Sequence, residues 1–299
     1  MNKHKKLAAA LSVALSLGVG FAPLASAAPI EEGIEVGVDA AKSVIDWTKG
    51  SSSDITTIGI GMPGNKGMAM ARRGAVMDAQ RNLLEIIKGV SVNSESTMED
   101  LYVTSDIVKT RVEGVLKGAQ IVDEGQNADG SYFVKMRVPL YGSTGSLASA
   151  ALPAIRPETA KPVPPPVVTE PTITKEEIKA VQSAAYTGVV VDASTLGLAP
   201  TFSPIIYDTN GRAVYGISNI ESSVAINSGM VGYANSLANA TSGSRAGANP
   251  LVVTAVEVRG GKNSSNPVNV VVSVEDADRI LSANTVSGFL SNGAVMFVK

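Results

Sequence analysis

Seven prolines stand at positions 153, 157, 162, 164, 165, 166 and 171. Proline removes a backbone donor and fixes φ. Such a run therefore favours extended polyproline II over a helix or a sheet ladder. The chain is expected to fold as two bodies on either side of a semi-rigid spacer. Gly, Ser and Ala lead into the prolines, which places the linker at 142–176. A length of 299 residues suits one or two domains.

On the N-terminal side, 55–141 reads as one α+β unit. An Ile/Thr-rich strand spans about 55–62, and a long helix runs from 65 to 90. Met70, Met77 and Leu84 repeat at seven, with Val76, Leu83, Ile87 and Val90 assigned to the same apolar face. A second helix covers about 105–117 and stops at Gly118. A hairpin follows, with Asp129-Gly130 in its turn. In its second arm Tyr132, Val134, Met136 and Val138 alternate with Phe133, Lys135 and Arg137, giving one buried and one wetter face. Ahead of this unit, 28–54 forms an N-terminal extension, with Ile34, Val38, Ala41 and Ile45 at helical spacing.

On the C-terminal side, 177–299 reads as a second sheet-and-helix domain. Asp208-Thr209-Asn210-Gly211 is a hairpin turn, 230–240 is weakly helical, and 250–259 is one strand. A valine strand at 268–274, a capped helix at 273–284 and a closing strand at 294–298 complete it. The expected class is α+β: two small two-layer sheet-and-helix domains joined by a Pro-rich linker.

The first 27 residues fit a secretory signal. Lys3, Lys5 and Lys6 precede the uncharged apolar run 7–17, and Ala25-Ser26-Ala27 supplies small residues before a cleavage site. Cleavage there predicts an exported protein of the periplasm or outer cell envelope. The whole chain has 25 basic and 27 acidic residues, and three of the basic ones leave with the signal. The acidic balance of the remainder argues against nucleic acid as a partner.

Cysteine is absent, and the single histidine is His4, inside the signal. The remaining chain has neither thiol nor imidazole, so Ser-His-Asp or Cys-His catalysis and ordinary zinc sites are excluded. Asp123, Glu124, Asp129, Asp192 and Asp208 could imitate paired catalytic carboxylates, but Asp129 and Asp208 fit turns better. Gly59-Ile60-Gly61-Met62-Pro63-Gly64 matches G-x-G-x-x-G between a strand and a helix. A dinucleotide site also needs an acid closing a second parallel strand, whereas Glu85 falls inside the long helix. No cofactor is expected, and the chain reads as a non-enzyme. Lys66, Arg72 and Arg73, near the start of the long helix, are the candidate interaction surface for an anionic lipid head group or polymer.

The stretch from Ala71 to Leu84 resembles the helix of the Lpp-twenty envelope lipoprotein family, the module also seen in flagellar FlgP and FlgT. Asp78, Ala79, Arg81, Asn82 and Leu83 match its core pattern, behind a G-x-G strand and ahead of a hairpin. The resemblance covers about 57–141. Beyond the linker, Gly188 to Ala193, Leu196-Gly197-Leu198, Ser203-Pro204 and Ile206-Tyr207-Asp208 resemble the C-terminal half of larger envelope proteins that carry this module. The resemblance implies a scaffold or assembly protein of the outer envelope or flagellar apparatus. Envelope or flagellar proteins would be its partners, and self-association and peripheral membrane contact are compatible with it. The lipidated cysteine of the family is missing here, which favours a soluble or partner-tethered form. The alternative is a periplasmic binding module for an anionic ligand or polymer.

Overall fold

The computed structural model describes residues 44–155, 173–242, 245–261 and 263–299. The expected signal segment, most of the expected N-terminal helix and the proline run at 156–172 lie outside them. The chain is α+β, built from two sheet-and-helix halves.

The N-terminal half begins with β1 (Val44–Ile45), so Ile45 lies on a strand rather than a helix. A 3-10 turn, Trp47–Ser52, follows, and the carboxylate of Asp46 accepts the Thr48 N–H at its start. Next come β2 (Asp54–Gly61), α1 (Met68–Gly89), α2 (Met98–Thr104), α3 (Asp106–Lys117), β3 (Gln120–Gln126) and β4 (Tyr132–Pro139). The strands form an antiparallel sheet in the order β1-β2-β4-β3. In β4, Val134, Met136 and Val138 are buried, as the alternation predicts. The short α2 went unread in the sequence despite a full capping box between Thr97 and Asp100.

The bounds of α1 agree with the pattern, and Leu83, Ile87 and Val90 are buried as expected, but the first half of its buried face differs. Ala71, Ala75, Ala79, Leu83 and Ile87 face the sheet at i, i+4 spacing. Met70 and Met77 point outward, 44% and 64% exposed. The reason lies in β2. A Cβ at Gly59 would sit 2.2 Å from the Ala75 carbonyl oxygen, and one at Gly61 would sit 2.0 Å from that of Ala71. Helix and strand backbones touch here, so only alanine fits on the helix side. The G-x-G motif is explained by this close packing.

The linker expected at 142–176 also holds structure. Residues 147–155 form α4, capped by Ser146, whose hydroxyl accepts the Ser149 N–H at 3.1 Å. Pro153 sits in its last turn, where the proline removes one hydrogen bond. Leu147, Ala148, Ala151 and Leu152 are buried, and that burial offsets the loss. After 172, the capping box of Thr174 and Glu177 starts α5 (Lys175–Ser183).

The C-terminal half then runs through β5 (Gly188–Asp192), β6 (Ile206–Asp208), β7 (Ala213–Tyr215), α6 (Ser222–Ser228), β8 (Gly232–Ala234) and α7 (Leu237–Thr241). It ends with β9 (Pro250–Thr254), β10 (Glu257–Arg259), β11 (Asn269–Val272), α8 (Val274–Ser287) and β12 (Val295–Val298). The segment 230–240, read as helical, divides into β8 and α7. The single strand expected at 250–259 is also divided. The Ala255 N–H bonds the Asp192 carbonyl in one sheet, and the Val256 N–H bonds the Val271 carbonyl in the other. One sheet is wholly parallel, in the order β8-β12-β5-β9. The second, β10-β11-β6-β7, is mixed. Every residue of β11 and β12 is buried, as strands covered on both faces require.

The two halves are not held apart. The Trp47 ring meets Phe202 edge-on at 5.4 Å and Tyr233 at 5.9 Å, while Tyr141 meets Phe202 at 5.7 Å. The Thr201 hydroxyl donates to the Ser91 carbonyl at 3.1 Å, and the Glu95 carboxylate accepts the Asn263 N–H. One apolar core runs through both halves, and all described residues belong to one compact unit.

Candidate functional site

Of the three basic residues singled out in the sequence, Lys66 ends a 3-10 turn, Gly64–Lys66, while Arg72 and Arg73 lie on the first turns of α1. Arg72 turns toward β3 and holds Glu124 through two bonds, from Nε at 2.7 Å and from Nη2 at 3.1 Å. Arg73 points to solvent, three residues from Met70 and four from Met77 on the outward face of α1. The arrangement is an exposed stripe of two flexible apolar side chains around one cation.

Of the carboxylates weighed in the sequence, Asp123 is exposed on β3, Glu124 is held by Arg72, and the other three are occupied locally. Asp129 accepts both the N–H and the hydroxyl of Ser131, and these bonds hold its carboxyl below the ordinary value. Asp208 accepts the Asn210 and Arg212 N–H groups at the hairpin turn. The Arg212 guanidinium then bridges Asp208 at 2.7 Å and Asp278 of α8 at 2.8 Å. This nearly buried set ties the hairpin to the helix. Asp192 accepts the Ser194 N–H.

A cleft of about 460 Å³ opens where the Trp47–Ser52 turn faces the C-terminal half. Thr48, Lys49 and Ser51 form one wall, and Ser228, Arg245 and Asn292 contribute polar groups from the other. Val224 and Met296 supply apolar surface. Lys49 and Arg245 are the charged residues of the lining, and no carboxylate belongs to it. Lys49 keeps an ion pair with Asp46 at 3.3 Å outside the lining.

Arg245 is the unusual member. Its guanidinium donates to the carbonyls of Ser228, Gly229 and Gly293, and it forms no ion pair among the described residues. Ser228 closes α6 and Gly229 caps it, so the cation meets the negative end of a short helix. Burial holds its pKa below the ordinary arginine value, although arginine stays charged at neutral pH. A Cβ at Gly293 would lie 2.8 Å from Nη2, and one at Gly232 would lie 3.1 Å from Cδ. Glycine at both positions leaves the side chain its room. Tyr141 and Tyr233 pack nearby, and burial pushes both phenols far above their ordinary pKa. The sequence carried a signal for Arg245 that went unread: it is the only charged residue between Glu221 and Glu257.

No curated protein matches the chain. Residues 188–299, from the first residue of β5 to the end of the chain, match the family model described as Treponema pallidum Tp0624, second domain.

Proposed function

We propose that this chain is an exported, non-catalytic scaffold or assembly protein of the cell envelope, acting at the outer membrane or a flagellar structure. The observation that carries the reading is the outward face of α1. Met70 and Met77 are exposed one heptad apart with the cation Arg73 between them. A helix face of this kind fits an apolar groove, and methionine suits such contacts because it repacks easily. Arg73 calls for an acidic rim on the partner. The likeness of 57–141 to an envelope lipoprotein module and the signal-like N-terminus support the same compartment.

Photo-crosslinking in the native host tests this. A crosslinker at Met77 should give one discrete adduct with an exported envelope protein, and Arg73→Glu should remove that adduct while the protein stays folded. No adduct, or an adduct indifferent to Arg73→Glu, sinks the docking face. Retention of the chain in the cytoplasm with residues 1–27 attached sinks the envelope assignment.

A further inference from the structure

We propose that the cleft between the Trp47–Ser52 turn and Arg245 binds the anionic oxygen group, phosphate or carboxylate, of a small solute. The volume of about 460 Å³ is right for a molecule the size of a sugar acid or sugar phosphate. Arg245 has five N–H donors, of which three bonds to carbonyls are accounted for. Two N–H groups remain, on a partly buried cation whose bonded partners are carbonyl dipoles. A partly desolvated cation with no ion-pair partner among the described residues gains from a counter-charge. An oxyanion in the cleft provides one, and a guanidinium is the side chain whose N–H groups best suit phosphate and carboxylate. Lys49, paired with Asp46 outside the lining, is a second cation of the lining, and the Ser51 hydroxyl and Asn292 amide supply neutral polar groups. With no carboxylate in the lining, nothing within it repels an anion.

This site is separate from the outward face of α1, so either proposal can fail without the other. It also carries its own reporter. Trp47 is the only tryptophan in the chain and begins the turn that forms one wall.

The test titrates the exported form of the chain with glucose 6-phosphate, glucuronate and neutral glucose, read by calorimetry and by Trp47 fluorescence. At least one charged sugar should saturate with Kd at or below about 1 mM, while glucose does not bind. The stronger of the two identifies the oxyanion as phosphate or carboxylate. Arg245→Gln should abolish binding. Should that variant fail to fold, Asn292→Asp decides, since it sets a negative charge in the lining. It should weaken the anion by at least about tenfold with the melting curve unchanged. Absence of binding up to about 20 mM, equal binding of glucose, or undiminished affinity in a folded Asn292→Asp protein overturns the proposal.

Discussion

The carboxylate of Asp78 accepts the backbone N–H of Ile60 at 3.0 Å, and one turn later the Asn82 amide donates to the Ile58 carbonyl at 3.1 Å. Among the described residues, β1 pairs on this side of β2 only with residues 55 and 56. Two side chains of α1 bond the β2 backbone beyond those residues. Arg81 binds the other oxygen of Asp78 and remains largely exposed. The Asp and Asn of the D-A-x-R-N pattern are thus tied to the backbone of β2.

Removing either side chain should cost stability. Asp78→Ala should lose about 1.5–3 kcal/mol, because a charged acceptor is lost, and Asn82→Ala about 1 kcal/mol. Arg81→Ala should change stability by less than about 0.5 kcal/mol, since its pair is solvent-exposed. Urea midpoints at constant m-value check all three.

The glycines of β2 should be intolerant and a glycine of α1 should be improvable. Gly59→Ala and Gly61→Ala drive a methyl group into helix backbone and should cost roughly 3 kcal/mol or more each. Gly74 lies inside α1, and a Cβ there would meet only Gly61 Cα, at an ordinary 3.6 Å. Gly74→Ala should stabilise the protein by about 0.5–1 kcal/mol through helix propensity. Thermal melts of the three variants separate these opposite signs.

Shared aromatic packing should make the halves unfold together. Trp47 is 9% exposed and contacts rings of the C-terminal half. Far-ultraviolet circular dichroism and Trp47 fluorescence should report one coincident transition. Trp47→Ala should lower stability by about 3–5 kcal/mol. Two separated transitions would show independent domains.

Alkali should weaken the fold steeply. Tyr141 and Tyr233 have folded pKa values raised by burial, against about 10 in the unfolded chain. Above that pH the unfolded chain releases protons that the native state keeps, so stability is present below pH 10 and falls as pH rises past it. Each tyrosine should contribute a slope of about 1.4 kcal/mol per pH unit. Tyr141→Phe or Tyr233→Phe should remove one such contribution, measured from urea midpoints between about pH 9 and 12.

Features set by near neighbours were legible in the sequence. Asp129-Gly130 and Asp208 to Gly211 make the expected turns, because an Asx side chain and a glycine act on their own backbone. The alternation of β4 and the extent of α1 were equally readable, since both are periodic. What depended on a distant surface was not. The orientation of α1 follows from Gly59 and Gly61, which let Ala71 and Ala75 approach β2 and turn Met70 and Met77 outward. Val252 and Val258 belong to different sheets because the chain crosses between Asp192 and Val271 at residues 255 and 256. Gly232 to Ala234 is a strand only because β12 lies beside it. Sequence alone marked Arg245 as a solitary charge. Only the tertiary structure brought it to face Lys49, 196 positions earlier, because burying Trp47 against Phe202 and Tyr233 draws the two walls of the cleft together.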